Sequence, residues 1–199
     1  MLVITSTTTL VPDNPAAAYA AYRQAASAVF LAGTQGLKYK KDHYDLAVDL
    51  SKAGLTYIDE RADEIVIGAM TPLWQIKISQ AIQNFAGGAI SKAISDVADK
   101  NIQRYGTLGG VISSKAPFSV LLPILLSLHV DVQLQDKGCM SLDDYLHCPP
   151  MGELVTGISI AKEAVYTAYK AYRKLPVDEP YLVGAVAMRD DSWRIVVGG

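Results

Sequence analysis

The sequence predicts a mixed α+β fold that opens with a small unit of parallel strands. Three observations carry this expectation. Strand-like and helix-like segments alternate over the first fifty residues. An apolar hairpin and several helices follow through the middle of the chain. The tail from Tyr166 then offers three further strand-like stretches, centred near Tyr169, Val183 and Ile195.

Each element has a local reason. Asn14 suits a helix cap, Pro15 the first helical position, and Ala16 to Arg23 favours helix. Ala28-Val29-Phe30-Leu31 reads as a strand that ends in a small-residue loop, Ala32 to Gly36, and Leu46 to Leu50 is another apolar segment. Leu55 to Ile58 and Glu64 to Ala69 flank the polar break Asp59 to Asp63 and predict a hairpin. Thr71 as cap and Pro72 at the first position predict a helix to about Asn84, with Gly87-Gly88 as its breaker and a second helix from Ala89 to about Ala98. Arg104 to Val111 holds three glycines in a short span and reads as a loop. Ser113 to Lys115 leads to a buried helix from about Phe118. Val130 to Leu134 alternates at period two and predicts a strand, and Asp136-Lys137-Gly138 a turn. Ser141 and Asp144 form a capping box for a short helix, and Leu154 to Ile160 is a strand.

Composition narrows the function. The chain has 199 residues, a formal net charge of −2 and 50% hydrophobic residues. It is core-forming, and it lacks the basic field of a dedicated nucleic-acid binder. Cys139 and Cys148 are too few for a disulfide framework, a four-cysteine zinc site or a four-cysteine iron–sulfur cluster, and read as free thiols. Met1 to Val11 carries no basic residue ahead of its apolar stretch, and the apolar run Val120 to Leu128 is short and broken by Pro123. A cytoplasmic protein is expected.

Few residues suggest chemistry. His43, His129 and His147 are scattered, so no metal site is expected, and no serine stands in a nucleophile-elbow context. Asp143-Asp144 and Asp190-Asp191 read as a helix start and a hairpin turn. Lys38, Lys40 and Lys41 read as a solvated cluster; the alternative, since they follow the first Gly loop, is a face toward a ligand's phosphates. The two Gly-bearing loops, 31–36 and 107–110, are neither a dinucleotide fingerprint nor a P-loop, yet such loops let successive N–H groups meet an anion.

The order of motifs says more than any one of them. Phe30-Leu31-Ala32-Gly33-Thr34-Gln35 resembles the Gly-Gly-Thr-Asp/Asn loop of the flavin-binding (medium) subunits of molybdenum hydroxylases, the carbon monoxide dehydrogenase and xanthine dehydrogenase family. Ala47 to Ser51 is similar to the family's Val-Asp-Leu segment, and Glu64 to Thr71 to its Ile-Gly-Ala-Met-Thr hairpin. Asn101 to Gly110 resembles its Gln-Ile-Arg-Asn-x-Gly-Thr-Leu-Gly-Gly stretch, and Gly152 to Thr156 its Gly-Glu-Ile-Ile-Thr strand.

The resemblance implies a two-subdomain FAD-binding fold of the PCMH or CO dehydrogenase flavoprotein type. It divides the chain into a small α/β subdomain, 1–54, a larger α+β subdomain, 55–163, and a stub, 164–199, of a truncated C-terminal α+β domain. The stub's apolar faces, including Val183, Ala185, Ile195 and Val197, would need cover from a partner or a second copy. It implies FAD as cofactor, an iron–sulfur subunit and a molybdopterin-binding subunit as partners, a possible homo-oligomer, and electron transfer through FAD to an acceptor. No residue of this chain would be a general base or nucleophile. Cofactor contacts would fall on Leu31, Ala32, Gly33, Thr34, Gln35, Gly36, Thr107, Leu108, Gly109 and Gly110, with Val155, Lys170 and Tyr181 lining the flavin. Departures from the family pattern are Ala32, Gln35, Val111, Ser114 and Val120, the last standing where the family has an Asp that bonds the ribityl chain. Each lost hydrogen bond costs about 0.5–1.5 kcal/mol. The competing expectation is therefore a scaffold subunit that keeps the fold without the cofactor.

Overall fold

The computed structural model describes residues 5–37, 42–97, 99–175 and 178–199; Lys38, Lys40 and Lys41 lie outside these. Its first unit is a three-stranded parallel sheet in the order β1-β3-β2, from β1 (Thr5–Leu10), β2 (Ala28–Leu31) and β3 (His43–Asp49). Helix α1 (Pro15–Gln24) makes the crossover between β1 and β2. Its cap is as expected: the Asn14 side chain accepts from the Ala17 amide at 2.8 Å, and Pro15 follows. Strand β1 was not foreseen, because Thr5 to Thr9 is polar and five of its six residues are exposed. His43 opens β3, with Thr5 and Thr7 hydroxyls against its ring nitrogens at 2.9 and 3.3 Å. A small core of Ala18, Tyr19, Val48, Leu50 and Leu55 closes over Leu154 from the larger body.

That body is built on a five-stranded antiparallel sheet in the order β4-β5-β8-β6-β7. Its strands are β4 (Ile58–Glu60), β5 (Glu64–Gly68), β6 (Val130–Leu134), β7 (Gly138–Ser141) and β8 (Val155–Ala161). The expected hairpin is present, with its first strand three residues later than the sequence suggests.

The helix expected over 71–84 is two. Helix α2 (Leu73–Ile78) stops where Ser79 turns extended, and α3 (Gln80–Asn84) restarts from it. Thr71 is not its cap. Fully buried, it accepts from the Tyr57 amide at 3.1 Å and donates to the Tyr57 carbonyl at 2.9 Å, which stitches the hairpin to the helix start. Gly87 and Gly88 break the chain at positive φ as expected, and α4 (Ala89–Ser95) follows.

The Gly-rich segment also differs from expectation. Asp99 caps α5 (Lys100–Tyr105), and the glycines enter the first turn of α6 (Leu108–Ser114), which Thr107 caps by accepting from the Gly110 amide at 3.2 Å. The expected helix from Phe118 starts at Leu122, as α7 (Leu122–Ser127). The Ser141 half of the capping box is present: Ser141 accepts from the Asp144 amide at 3.0 Å at the head of α8 (Leu142–His147), while the Asp144 carboxylate takes the Ser141 hydroxyl at 2.7 Å.

The tail forms a second antiparallel sheet, β11-β10-β9, from β9 (Tyr166–Tyr172), β10 (Leu182–Arg189) and β11 (Ser192–Gly198). Asp190 and Asp191, both at positive φ, make the two-residue turn expected of them. One correction concerns its faces. Val183 and Ala185 point inward and are buried in the main core with Tyr169, beneath α4 and α7, whereas Ile195 and Val197 are on the outer face and about two-thirds exposed.

Candidate functional site

The first Gly loop follows β2, and the second joins α5 to α6. The second loop is fixed to the α2 start, since Leu73 and Leu108 amides donate to the Gly106 and Thr71 carbonyls at 3.0 and 3.1 Å. Gly33 then lies against the Tyr105 carbonyl so closely that a Cβ there would collide with it. This apposition leaves an open groove of about 360 Å³. One wall is Ala32, Gly33, Thr34 and Gln35; the other is Met70, Pro72, Arg104, Tyr105 and Thr107.

The two loops contribute differently. Gly33 and Thr34 amides find no acceptor among the described residues, and Thr34 has a left-handed φ of 56° after a negative one at Gly33. Reversals of this kind turn successive N–H groups toward one point and suit an anion. The second loop spends its amides internally. Leu108 donates to Thr71, Gly109 to Ala69 at 2.8 Å, and Gly110 to the Thr107 hydroxyl. Gly109 is buried, and a Cβ on it would meet Ala69 Cβ at 2.8 Å, so its role is helix-to-strand packing. Thr107 retains an amide without a described acceptor and a hydroxyl proton to give. Among the described residues the groove wall carries one cation, Arg104, and no carboxylate.

Of the residues expected to hold a cofactor, Ala32, Gly33, Thr34, Gln35 and Thr107 line this groove. Leu31, Gly36, Leu108, Gly109 and Gly110 flank it in the chain. Val155 is buried in the main core, Lys170 is exposed on β9 and Tyr181 is exposed just before β10; none of the three is in the groove wall. Met70, Pro72, Arg104 and Tyr105 are the lining residues that sequence reasoning missed as a site. Met70, Arg104 and Tyr105 were inside recognised motifs, but nothing local marked them as wall.

Among the described residues no cluster of His, Cys, Asp and Glu could hold a metal, and no helix is long and apolar enough to cross a membrane. Cys139 and Cys148 are free and exposed.

Unpaired loop amides, a threonine hydroxyl, a single arginine and no facing carboxylate are the donor set of a protein that holds a phosphate-bearing ligand. The chain belongs to the family described as the FAD binding domain in molybdopterin dehydrogenase, which matches residues 5–162, and the cofactor of that family is FAD. The donor set fits the diphosphate of such a cofactor, and the groove volume suits part of a dinucleotide. The uncharacterised protein YgfM of Escherichia coli strain K12 is 29% identical over 175 residues, covering 86% of this chain and 66% of its own length. The chain therefore spans just under two thirds of that relative.

Solved structures share the fold. A carbon monoxide dehydrogenase from Hydrogenophaga pseudoflava, lacking the Mo-pyranopterin moiety of its cofactor, superposes with a TM-score of 0.86 at 21% identity, over 96% of this chain and 73% of its own. Quinoline 2-oxidoreductase from Pseudomonas putida 86 gives 0.84 at 18% identity, over 100% and 74%. Reconstituted CO dehydrogenase from Oligotropha carboxidovorans gives 0.80 at 23%, over 100% and 74%. The flavoprotein fold expected from the motifs is the one observed.

Proposed function

We propose that this chain is the FAD-holding subunit of a molybdopterin-dependent oxidoreductase. It would receive electrons through an iron–sulfur subunit from a molybdopterin-binding subunit and pass them to an acceptor. The observation that carries the reading is the groove between the two Gly loops, with unpaired Gly33 and Thr34 amides beside Thr107 and Arg104. Bound FAD would supply the one- and two-electron chemistry. The chain's own part is binding and orientation. Loop amides would take the diphosphate, Thr107 would add a hydroxyl donor, and Met70 and Pro72 would keep one wall apolar.

One observation favours the scaffold alternative. Val120, at the place of the family's ribityl-binding Asp, is buried in the main core and can accept no hydrogen bond. The two readings part on one measurement. Purified chain incubated with FAD and desalted is expected to retain flavin absorbance, and Ala32→Asp, which sets a carboxylate in the groove wall, to lose it while keeping its circular dichroism. Wild-type chain that is folded and colourless would leave only the scaffold. Co-purification with iron–sulfur and molybdopterin subunits tests the partners.

A further inference from the structure

We propose that Arg104 is the groove's phosphate-selecting residue, the side chain that makes the site prefer a diphosphate-bearing flavin to a flavin without phosphate. The inference rests on the FAD reading above and deepens it. Arg104 lies in the last turn of α5, is exposed, lines the groove, and has no hydrogen-bond or ion-pair acceptor among the described residues. An unpaired guanidinium next to a carboxylate-free wall has its charge available for an anion, and its planar fork can give a phosphate two parallel hydrogen bonds. The adjoining residue, Tyr105, is the one whose carbonyl abuts Gly33, so Arg104 is anchored beside the loop with the unpaired amides.

The second loop gives the reason such a cation is needed. Its Leu108, Gly109 and Gly110 amides are committed to Thr71, Ala69 and Thr107, so its backbone offers a diphosphate little beyond the Thr107 amide. A side-chain cation makes up the missing positive field. Arg104 stands where the motif quoted for the family has Asn, so this charge is a property of the present chain.

The test is a fluorescence titration of the full chain with FAD and with riboflavin, at several salt concentrations. Arg104→Gln is expected to weaken FAD roughly tenfold, to leave riboflavin unchanged, and to flatten the salt dependence of FAD binding. Arg104→Lys, which keeps the charge, is expected to keep the salt dependence. Unchanged FAD affinity in Arg104→Gln, equal losses for both flavins, or a flattened salt dependence in Arg104→Lys overturns the role of Arg104 and leaves the FAD reading intact. A folded wild-type chain that binds no FAD overturns that reading and the proposal together.

Discussion

The carbonyl oxygen of Tyr105 occupies the space into which a Cβ on Gly33 would project, with the Tyr105 carbonyl carbon and Gly106 Cα close behind it. Residue 33 belongs to the small parallel unit and residue 105 to the larger body. The glycine is thus one point, besides Leu154, at which two separately cored parts of the chain touch.

Gly33→Ala follows as the first prediction. The obstacle is backbone, which cannot swing aside as a side chain would, so the loops must separate. Overpacking of this kind costs about 1–3 kcal/mol. A lowered urea midpoint at unchanged m-value is the expected outcome, with weaker FAD binding. Gly36→Ala, where a Cβ meets nothing within 4 Å, serves as the stability control and should leave the midpoint unaltered.

Thr71 gives the second. Its hydroxyl both accepts from and donates to Tyr57 in a fully buried setting. Thr71→Val keeps the shape and strands the Tyr57 amide, while the Tyr57 carbonyl keeps the Gly68 amide at 3.0 Å, at a cost of about 1–3 kcal/mol. Thr71→Ser restores the hydroxyl and should recover most of the loss in the same thermal or urea denaturation.

Thr71 also shows where the sequence could be read and where it could not. Thr-Pro before an apolar stretch is the pattern of a helix start, and a helix does start there. What the threonine hydroxyl bonds depends on Tyr57, fourteen residues away, and pairing at that distance leaves no local trace. Asn14, Ser141 and the Asp190-Asp191 turn were legible because each bonds or bends within three residues of itself. The groove divides in the same way. The Gly33 and Thr34 side was visible as a loop after a strand, whereas the wall made by Met70, Pro72 and Arg104 exists only once α2 and α6 are tied together. Gly109 illustrates the risk of reading glycine from sequence alone, for its missing side chain makes room for Ala69.

The tail sheet has two unequal faces, and paired substitutions should reveal them. Val183 is fully buried against the core, so Val183→Ala should cost about 1–3 kcal/mol through lost burial and a residual cavity. Ile195, 67% exposed on the outer face, should tolerate Ala within about 0.5 kcal/mol. Similar losses at both positions in denaturant melts would mean that the sheet does not pack as described.

Two tyrosines predict an alkaline limit to stability. Burial raises the pKa of Tyr145 and of Tyr169 above the ordinary 10.0, the latter strongly. The native state then holds protons that the unfolded state releases, so their contribution is intact below pH 10 and declines as pH climbs beyond it. Tyr169→Phe should flatten that decline. Tyrosinate absorbance during an alkaline titration should report fewer ionised groups than the 11 tyrosines until the chain unfolds.

The last prediction concerns a proton position. His129, just before β6, receives Arg189 Nη1 at 3.1 Å on its Nε2, and its Nδ1 is 2.9 Å from Glu163 Oε1. Arginine can only donate, so Nε2 must be the acceptor and the ring proton must sit on Nδ1, facing the carboxylate. Glu163 is held from the other side by Arg189 Nε at 2.9 Å, and Arg189 also reaches the Ser127 carbonyl at 3.0 Å. The trio thereby joins the tail sheet to the five-stranded sheet. Nitrogen-15 NMR of the neutral ring should show the Nδ1–H tautomer, against the usual preference of free histidine for Nε2–H. Arg189→Gln leaves an amide that can accept as well as donate, and the tautomer ratio should move toward Nε2–H. An Nε2–H ring in the wild-type chain would mean that Arg189 does not make this contact in solution.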